Sequence, residues 1–409
     1  MAKSAGALNG VRVLDFTGVV AGPFGTRLMA DLGAEVVKVE PPTGDMLRGA
    51  PPRRSGRSAY YGQINCGKKS ISVDLKNPKA IELVLKLVEK SDVVMQNFRP
   101  GVMTGFGLGY DDLRQRKADL IYCSVSGYGQ KGPSSTRAAF APIIHAASGY
   151  DLAVLSYQDN MTRPLNGANA TADYLAASLA MGAISAALLK REKTGEGEEI
   201  DIAMTEVMQN ILAYEIQELQ FKAERQRPSY GPVQTKDGYI IVNPISPKNF
   251  SDLAHAVDHP EWLDQFPLNT FERLKNWSLL MSELEKWTLQ HTSEEAEKII
   301  LAGGCPCSRY RDVWDSMHGP QVDARNGVVE IEDGAGKFLI PTTPVRLMNS
   351  VAVPKPFVAE LGAHNNEILH NWLGLNEAEI NDLSESGVLF KAKKRTETKS
   401  NRETAGISK

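Results

Sequence analysis

Residues 11–40 read VRVLDFTGVVAGPFGTRLMADLGAEVVKVE, and this stretch decides the fold class. Two short apolar runs, Val11–Phe16 and Glu35–Glu40, bracket a glycine-bearing turn and a segment, Thr26–Leu32, with apolar residues at helical spacing. A strand, a helix and a second strand in so short a span make a βαβ unit. The pattern continues outward. Further strands are expected at Ser70–Leu75, Asp92–Gln96, Leu120–Val125 and Glu199–Met204, and helices at Lys79–Lys90 and Tyr110–Lys117. Strands alternating with helices predict an α/β fold with a mostly parallel, doubly wound sheet.

The pattern changes after Pro228. Tyr230–Pro244 reads as a hairpin turning at Lys236-Asp237-Gly238, short helices follow, and strands are expected at Gly327–Ile331 and Lys337–Ile340. A chain of 409 residues exceeds one ordinary core. The expected organisation is a large α/β domain over 1–227, a smaller α+β domain over 228–341, and a return over 342–390 that completes the large domain. The return ends in helices near Asn365–Trp372 and Glu377–Ser384. A tail over 391–409, with seven Lys and Arg against two Glu, reads as disordered.

Composition narrows the function. The formal net charge of −3 argues against a nucleic-acid partner, which calls for a basic face. Four cysteines are too few for a disulfide framework, so reduced thiols are expected. Cys305-Pro306-Cys307 has the wrong spacing for a CxxC metal or redox pair and reads as two small, partly buried residues. The start of the chain lacks an apolar h-region, and the longest apolar run, Leu175–Leu189, falls short of a bilayer span. No membrane partner is expected, and the localisation expected is cytoplasmic.

Gly18, Gly22 and Gly25 follow the first strand and Glu40 ends the second, which invites a dinucleotide reading. The spacing is GxxxGxxG rather than GxGxxG, and Pro23 removes a backbone donor where a phosphate needs one. A turn serving chain geometry, or a different nucleotide-bearing ligand, reads better.

Several motifs stand in order along the chain. Asp15-Phe16-Thr17-Gly18-Val19-Val20-Ala21-Gly22-Pro23 is followed by Leu32-Gly33-Ala34-Glu35, Gly44-Asp45 and Arg48. Then come Asn65-Cys66-Gly67-Lys68-Lys69, Asn97-Phe98-Arg99-Pro100-Gly101, Ser126-Gly127-Tyr128-Gly129, Ala172-Asp173-Tyr174, Lys193-Thr194-Gly195-Glu196-Gly197 and Leu361-Gly362-Ala363-His364. Together they resemble the class III coenzyme A transferase family, which includes formyl-CoA transferase, carnitine CoA-transferase and α-methylacyl-CoA racemase. The resemblance implies a Rossmann-like, CoA-binding large domain, a smaller domain and an interlocked homodimer. It also implies acyl-CoA and a small carboxylic acid as substrates, with no tightly bound cofactor and no metal.

Asp173 falls on the family's nucleophile position. Taken by itself it reads first as a first-turn acid complementing a helix dipole. In the mechanism the resemblance implies, its carboxylate attacks the donor thioester, forming an aspartyl anhydride and releasing CoA thiolate. The thiolate then attacks the aspartyl carbonyl, giving an aspartyl-CoA thioester and freeing the first acid. The acceptor carboxylate attacks in turn, and the thiolate finally takes the new acyl group. CoA contacts are implied at Val20, Ala21, Val73, Lys76, Asn97, Phe98, Arg99 and Met204. Arg99 and Lys76 suit phosphate but read equally as exposed cations of no special role. Arg48, Arg53, Arg54 and Arg57 read as a solvated basic loop.

Departures from the family pattern guide specificity. The racemase branch carries an acid–base His where this chain has Phe140, and His145 nearby reads as a core residue. Oxalate-using members carry Gln at Val20 and Glu at Ala141, together with a run of glycines that is missing here. A larger or less polar acid is expected as acceptor. A racemase and a catalytically silent CoA-binding relative are the alternatives.

Overall fold

The computed structural model describes residues 5–221 and 230–392; the basic tail from 393 onward lies outside them. The chain divides into two units, Met1–Ala213 with Asn326–Lys409, and Tyr214–Arg325.

The first unit is built on six parallel strands: β1 (Arg12–Asp15), β2 (Glu35–Glu40), β3 (Lys69–Ser72), β4 (Val93–Gln96), β5 (Ile121–Ser126) and β6 (Glu198–Ala203). Their order is β3-β2-β1-β4-β5-β6, with Val13 opposite Val36 on one side and Val93 on the other. Runs such as Val93-Val94-Met95 are buried on both faces, which is why they carry no polar alternation.

Helices cover both faces. On one lie α1 (Pro23–Asp31), α3 (Ala141–Ala147) and α4 (Thr171–Thr194), with Met29, Ile144, Ala172, Ala176, Ala180 and Ile184 in the core. On the other lie α2 (Pro78–Glu89) and, from the C-terminal return, α5 (Asn365–Leu373), with Leu83, Leu87, Ile368, Leu369 and Trp372. Pro23 opens α1 at a position that needs no donor. A Cβ on Gly25 would sit 2.6 Å from the Ala177 carbonyl oxygen, so this glycine lets α1 close on α4. By length and composition α4 is long enough to cross a membrane, exceeding the apolar run read from sequence. Its alanine face is nevertheless buried against the sheet.

The return is sewn to the β3 edge. Ser72 N–H donates to the Asn365 side chain, Phe390 N–H donates to the Ser72 carbonyl, and Trp372 Nε1–H donates to Glu35 at 3.1 Å. The antiparallel hairpin of Val328–Asp333 and Gly336–Pro341 groups with this unit, although the sequence reading set it in the small domain. Ile331 and Ile340 pack there on Cys66.

The second unit, taken by itself, has a three-stranded antiparallel sheet of Val233–Gln234, Tyr239–Val242 and Cys307–Arg309. Helices Pro247–Ala256, Trp277–Thr288 and Ser293–Gly303 supply its core around Phe250, Leu280, Leu284 and Ile300. Cys305 is buried in that core, and burial pushes its thiol up to about 12. Such a thiol is a packing group rather than a nucleophile.

Candidate active site at the switch point of the sheet

From β1 the chain winds outward through β2 and β3, and from β4 it winds the opposite way through β5 and β6. The loops leaving β1 and β4 therefore diverge at the carboxyl end of the sheet, where an open α/β fold leaves its crevice. A cavity of about 340 Å³ lies there. Its wall includes Thr17–Ala21 after β1, Glu40, Pro41, Gly44 and Asp45 at the end of β2 and beyond, Asn97 and Phe98 after β4, Ser126 and Gly127 at the end of β5, and Phe140, Asp173 and Met204.

The loop after β1 is held from below by buried charge. Lys38 on β2 donates to the Thr17 carbonyl at 2.6 Å and pairs with Asp45 at 3.0 Å, both side chains being out of solvent. Asp45 accepts from the N–H of Val19 at 3.3 Å. That bond holds a β-branched residue at φ 65°, in a region that costs such residues roughly 1–3 kcal/mol. Asn97 grips the same loop from the β4 side, accepting from Gly18 N–H and donating to Gly18 O, each at 2.8 Å. Beneath them Asp15 receives Lys68 at 3.0 Å and the hydroxyls of Thr17 and Thr26. Burial alone would raise the Asp15 carboxyl, but Lys68 and Lys38 outweigh it and hold the group at about 2.

Asp173 is different in kind. It sits at the third position of α4, is 8% exposed, and has no ion pair or side-chain hydrogen bond among the described residues. Burial pushes its carboxyl up to about 6. No counter-ion among the described residues opposes that rise, while the helix N-terminus still favours the anion. A poised, weakly solvated carboxylate is a competent nucleophile. The acids sharing its cavity are already engaged, Glu40 by a two-pronged bond from Arg48 and Asp45 by Lys38. Tyr174 follows Asp173 and packs edge-on against Phe24 at 4.8 Å. The phenol of Tyr60 is pushed up by burial, then by Tyr174 and Asp173.

The structure brings together Val20, Ala21, Asn97, Phe98, Asp173 and Met204 in one wall. Arg99 lies in an adjoining groove that shares Asn97, Phe98, Ser126 and Phe140 with the cavity and adds Arg137. Val73 and Lys76 do not line the cavity. Val73 is core, bridged to Leu389, and Lys76 is exposed beyond β3. Among the described residues no cluster of His, Cys, Asp and Glu is arranged to hold a metal ion.

Two features escaped the sequence reading. Of the arginines read as a solvated loop, Arg48 binds Glu40, Arg54 binds Asp333 and Arg57 binds Glu360, so they hold the return and the hairpin rather than solvent. His145 is buried, as a core residue would be, but its Nε2 also accepts from the Ala172 N–H at 3.1 Å.

Comparison with known proteins shows the family. The chain matches CoA-transferase family III over residues 8–365. It is 33% identical over 398 residues to the succinyl-CoA:glutarate CoA-transferase of Homo sapiens, covering 93% of this chain and 90% of that one. It is 31% identical to the succinyl-CoA:mesaconate CoA-transferase of Haloarcula marismortui, covering 92% and 100%. The crystal structure of Rv3272 from M. tuberculosis superposes with a TM-score of 0.77 at 30% identity, covering 88% of this chain and 98% of that one. The six-stranded parallel sheet, the crevice at its switch point and the match across nearly the whole length make this chain a member of CoA-transferase family III.

Proposed function

We propose that the protein moves coenzyme A from an acyl-CoA donor to a free carboxylic acid, with Asp173 as the covalent nucleophile. The observation that carries this reading is a buried carboxyl in the wall of the switch-point cavity, raised by burial to about 6 and without a counter-ion among the described residues. Its carboxylate attacks the thioester carbonyl and expels CoA thiolate, leaving an aspartyl anhydride. The thiolate returns to the aspartyl carbonyl and releases the donor acid. The acceptor carboxylate then displaces the thiolate, which closes the cycle on the acceptor's acyl group. Each step trades one activated carbonyl for another, and a bound CoA keeps the thiolate close.

Val20, Ala21, Asn97, Phe98 and Met204 line the path proposed for CoA. The exposed cations Arg99 and Lys76 serve its phosphates. Succinyl-CoA is the proposed donor and a dicarboxylic acid larger than oxalate the proposed acceptor. The names of the human and Haloarcula relatives point that way, and so does the apolar cavity wall at Val20 and Phe140. Phe140 at the rim cannot carry a proton, which disfavours racemisation. An interlocked homodimer completes the proposal, covering exposed apolar side chains of α4 such as Leu179 and Leu189.

The test is a transfer assay with succinyl-CoA and a panel of acids, monitored by formation of the new thioester. Transfer to glutarate or a branched dicarboxylate is expected to outpace transfer to oxalate. Oxalate turned over at least as fast would sink the acceptor assignment, and α-proton exchange in heavy water without acceptor would favour a racemase.

A further inference from the structure

The helix that carries Asp173 begins without a cap of its own. Its N-cap residue is Ala170, which offers no side-chain acceptor, so the first backbone donors of α4 have to be met from elsewhere. Tyr174 N–H closes onto the Ala170 carbonyl, but Ala172 N–H, in a residue fully out of solvent, lies before the first intrahelical bond. His145, in the last turn of α3, supplies its acceptor: Nε2 lies 3.1 Å from the Ala172 nitrogen. A peptide N–H can only donate, so this Nε2 carries a lone pair and the ring is neutral with its proton on Nδ1. Tyr150 packs against the ring at 5.5 Å. The peptide that His145 holds is joined directly to Asp173.

We infer that His145 is a positioning residue for the nucleophile, capping the Asp173 helix from a neighbouring element and fixing the direction in which the carboxylate enters the cavity. A neutral ring suits this task, because an imidazolium here would lose the acceptor and place a cation beside the carboxylate that has to attack. Ile144 and Ala141 pack α3 onto α4 beside it, so the acceptor arrives on a packed element rather than a loop. The inference rests on the reading of Asp173 as nucleophile.

Three substitutions separate capping from packing. His145→Gln carries an acceptor oxygen at the same reach as Nε2, His145→Asn stops short of Ala172, and His145→Phe keeps the ring without the acceptor. The readouts are the single-turnover rate of adduct formation on Asp173, donor affinity, and the ring tautomer of the wild type from ¹⁵N shifts. His145→Gln is expected to keep the rate within about threefold, while His145→Asn and His145→Phe lose about tenfold or more with donor affinity unchanged. Full rate in His145→Phe, or a loss in His145→Gln as deep as in His145→Asn, would overturn the inference, and thermal melts verify that each variant is folded. If the wild type forms no adduct, the failure belongs to Asp173. The tautomer then decides alone: a pyridine-type Nε2 supports the cap and a protonated Nε2 overturns it.

Discussion

Two segments meet at the cavity, and they are held in opposite ways. The loop after β1 is gripped by Lys38, Asp45 and Asn97, which together fix three successive residues and force Val19 into a left-handed backbone. The start of α4 has no cap of its own, one bond from His145, and a carboxyl with no ion pair or side-chain hydrogen bond among the described residues. The difference fits the two tasks proposed for these segments. A substrate-binding wall gains from being over-determined, because each displaced backbone group misplaces a ligand. On the proposed reading, the Asp173 carboxylate gains from having no counter-ion, because a strong ion pair would hold down its basicity toward a carbonyl.

The comparison can be broken from either side. The largest expected effect is at Asp173 itself, where Asp173→Ala should lower transfer at least about a thousandfold while leaving CoA binding intact; an active variant would end the nucleophile reading. Next is the clamp. Lys38→Met leaves buried carboxylates without their cation and should cost about 3–5 kcal/mol in chemical denaturation, and a loss under 1 kcal/mol would show that the loop is held by packing.

A third prediction uses the isolation of Asp173. An acid whose folded pKa lies above its unfolded value stabilises the fold below the unfolded value and loses that contribution as pH rises through the folded one. For Asp173 the window runs from 3.8 to about 6. At about pH 8 Asp173→Asn should therefore be more stable than the wild type by up to about 3 kcal/mol, the gap closing toward pH 4. A constant gap across that range would mean that the carboxyl has a hidden partner. Smallest of the four is Asn97→Ala, which removes two bonds to Gly18 and should cost about 1–2 kcal/mol. Its mark in kinetics is a raised KM for the acyl-CoA with kcat nearly unchanged, and the reverse pattern would place Asn97 with the chemistry instead.

The strands were legible because a parallel sheet buries both faces and leaves continuous β-branched runs such as Val93-Val94. Asp173 was singled out only through resemblance, for a first-turn acid is ordinary by itself. The clamp was not legible: Asn97 and Gly18 are 79 residues apart, and partners at such separations leave no local pattern. The first loop was read as a glycine turn serving chain geometry or a nucleotide-bearing ligand other than a dinucleotide, and Gly25 has a geometric task, the close approach of α1 to α4. Arg54 and Arg57 read as solvated because their partners, Asp333 in the hairpin and Glu360 in the return, lie 279 and 303 residues away. Val73 was named through the resemblance; its side chain is buried and its backbone bridges to Leu389, outside the cavity wall.

The most direct measurement is mass spectrometry of the Asp173 peptide after incubation with succinyl-CoA and no acceptor, at pH values on both sides of about 6. An acyl or CoA adduct on that peptide, absent from Asp173→Ala and forming faster as the carboxyl ionises, is the predicted result. Measurable CoA binding with no adduct at any pH would contradict the account.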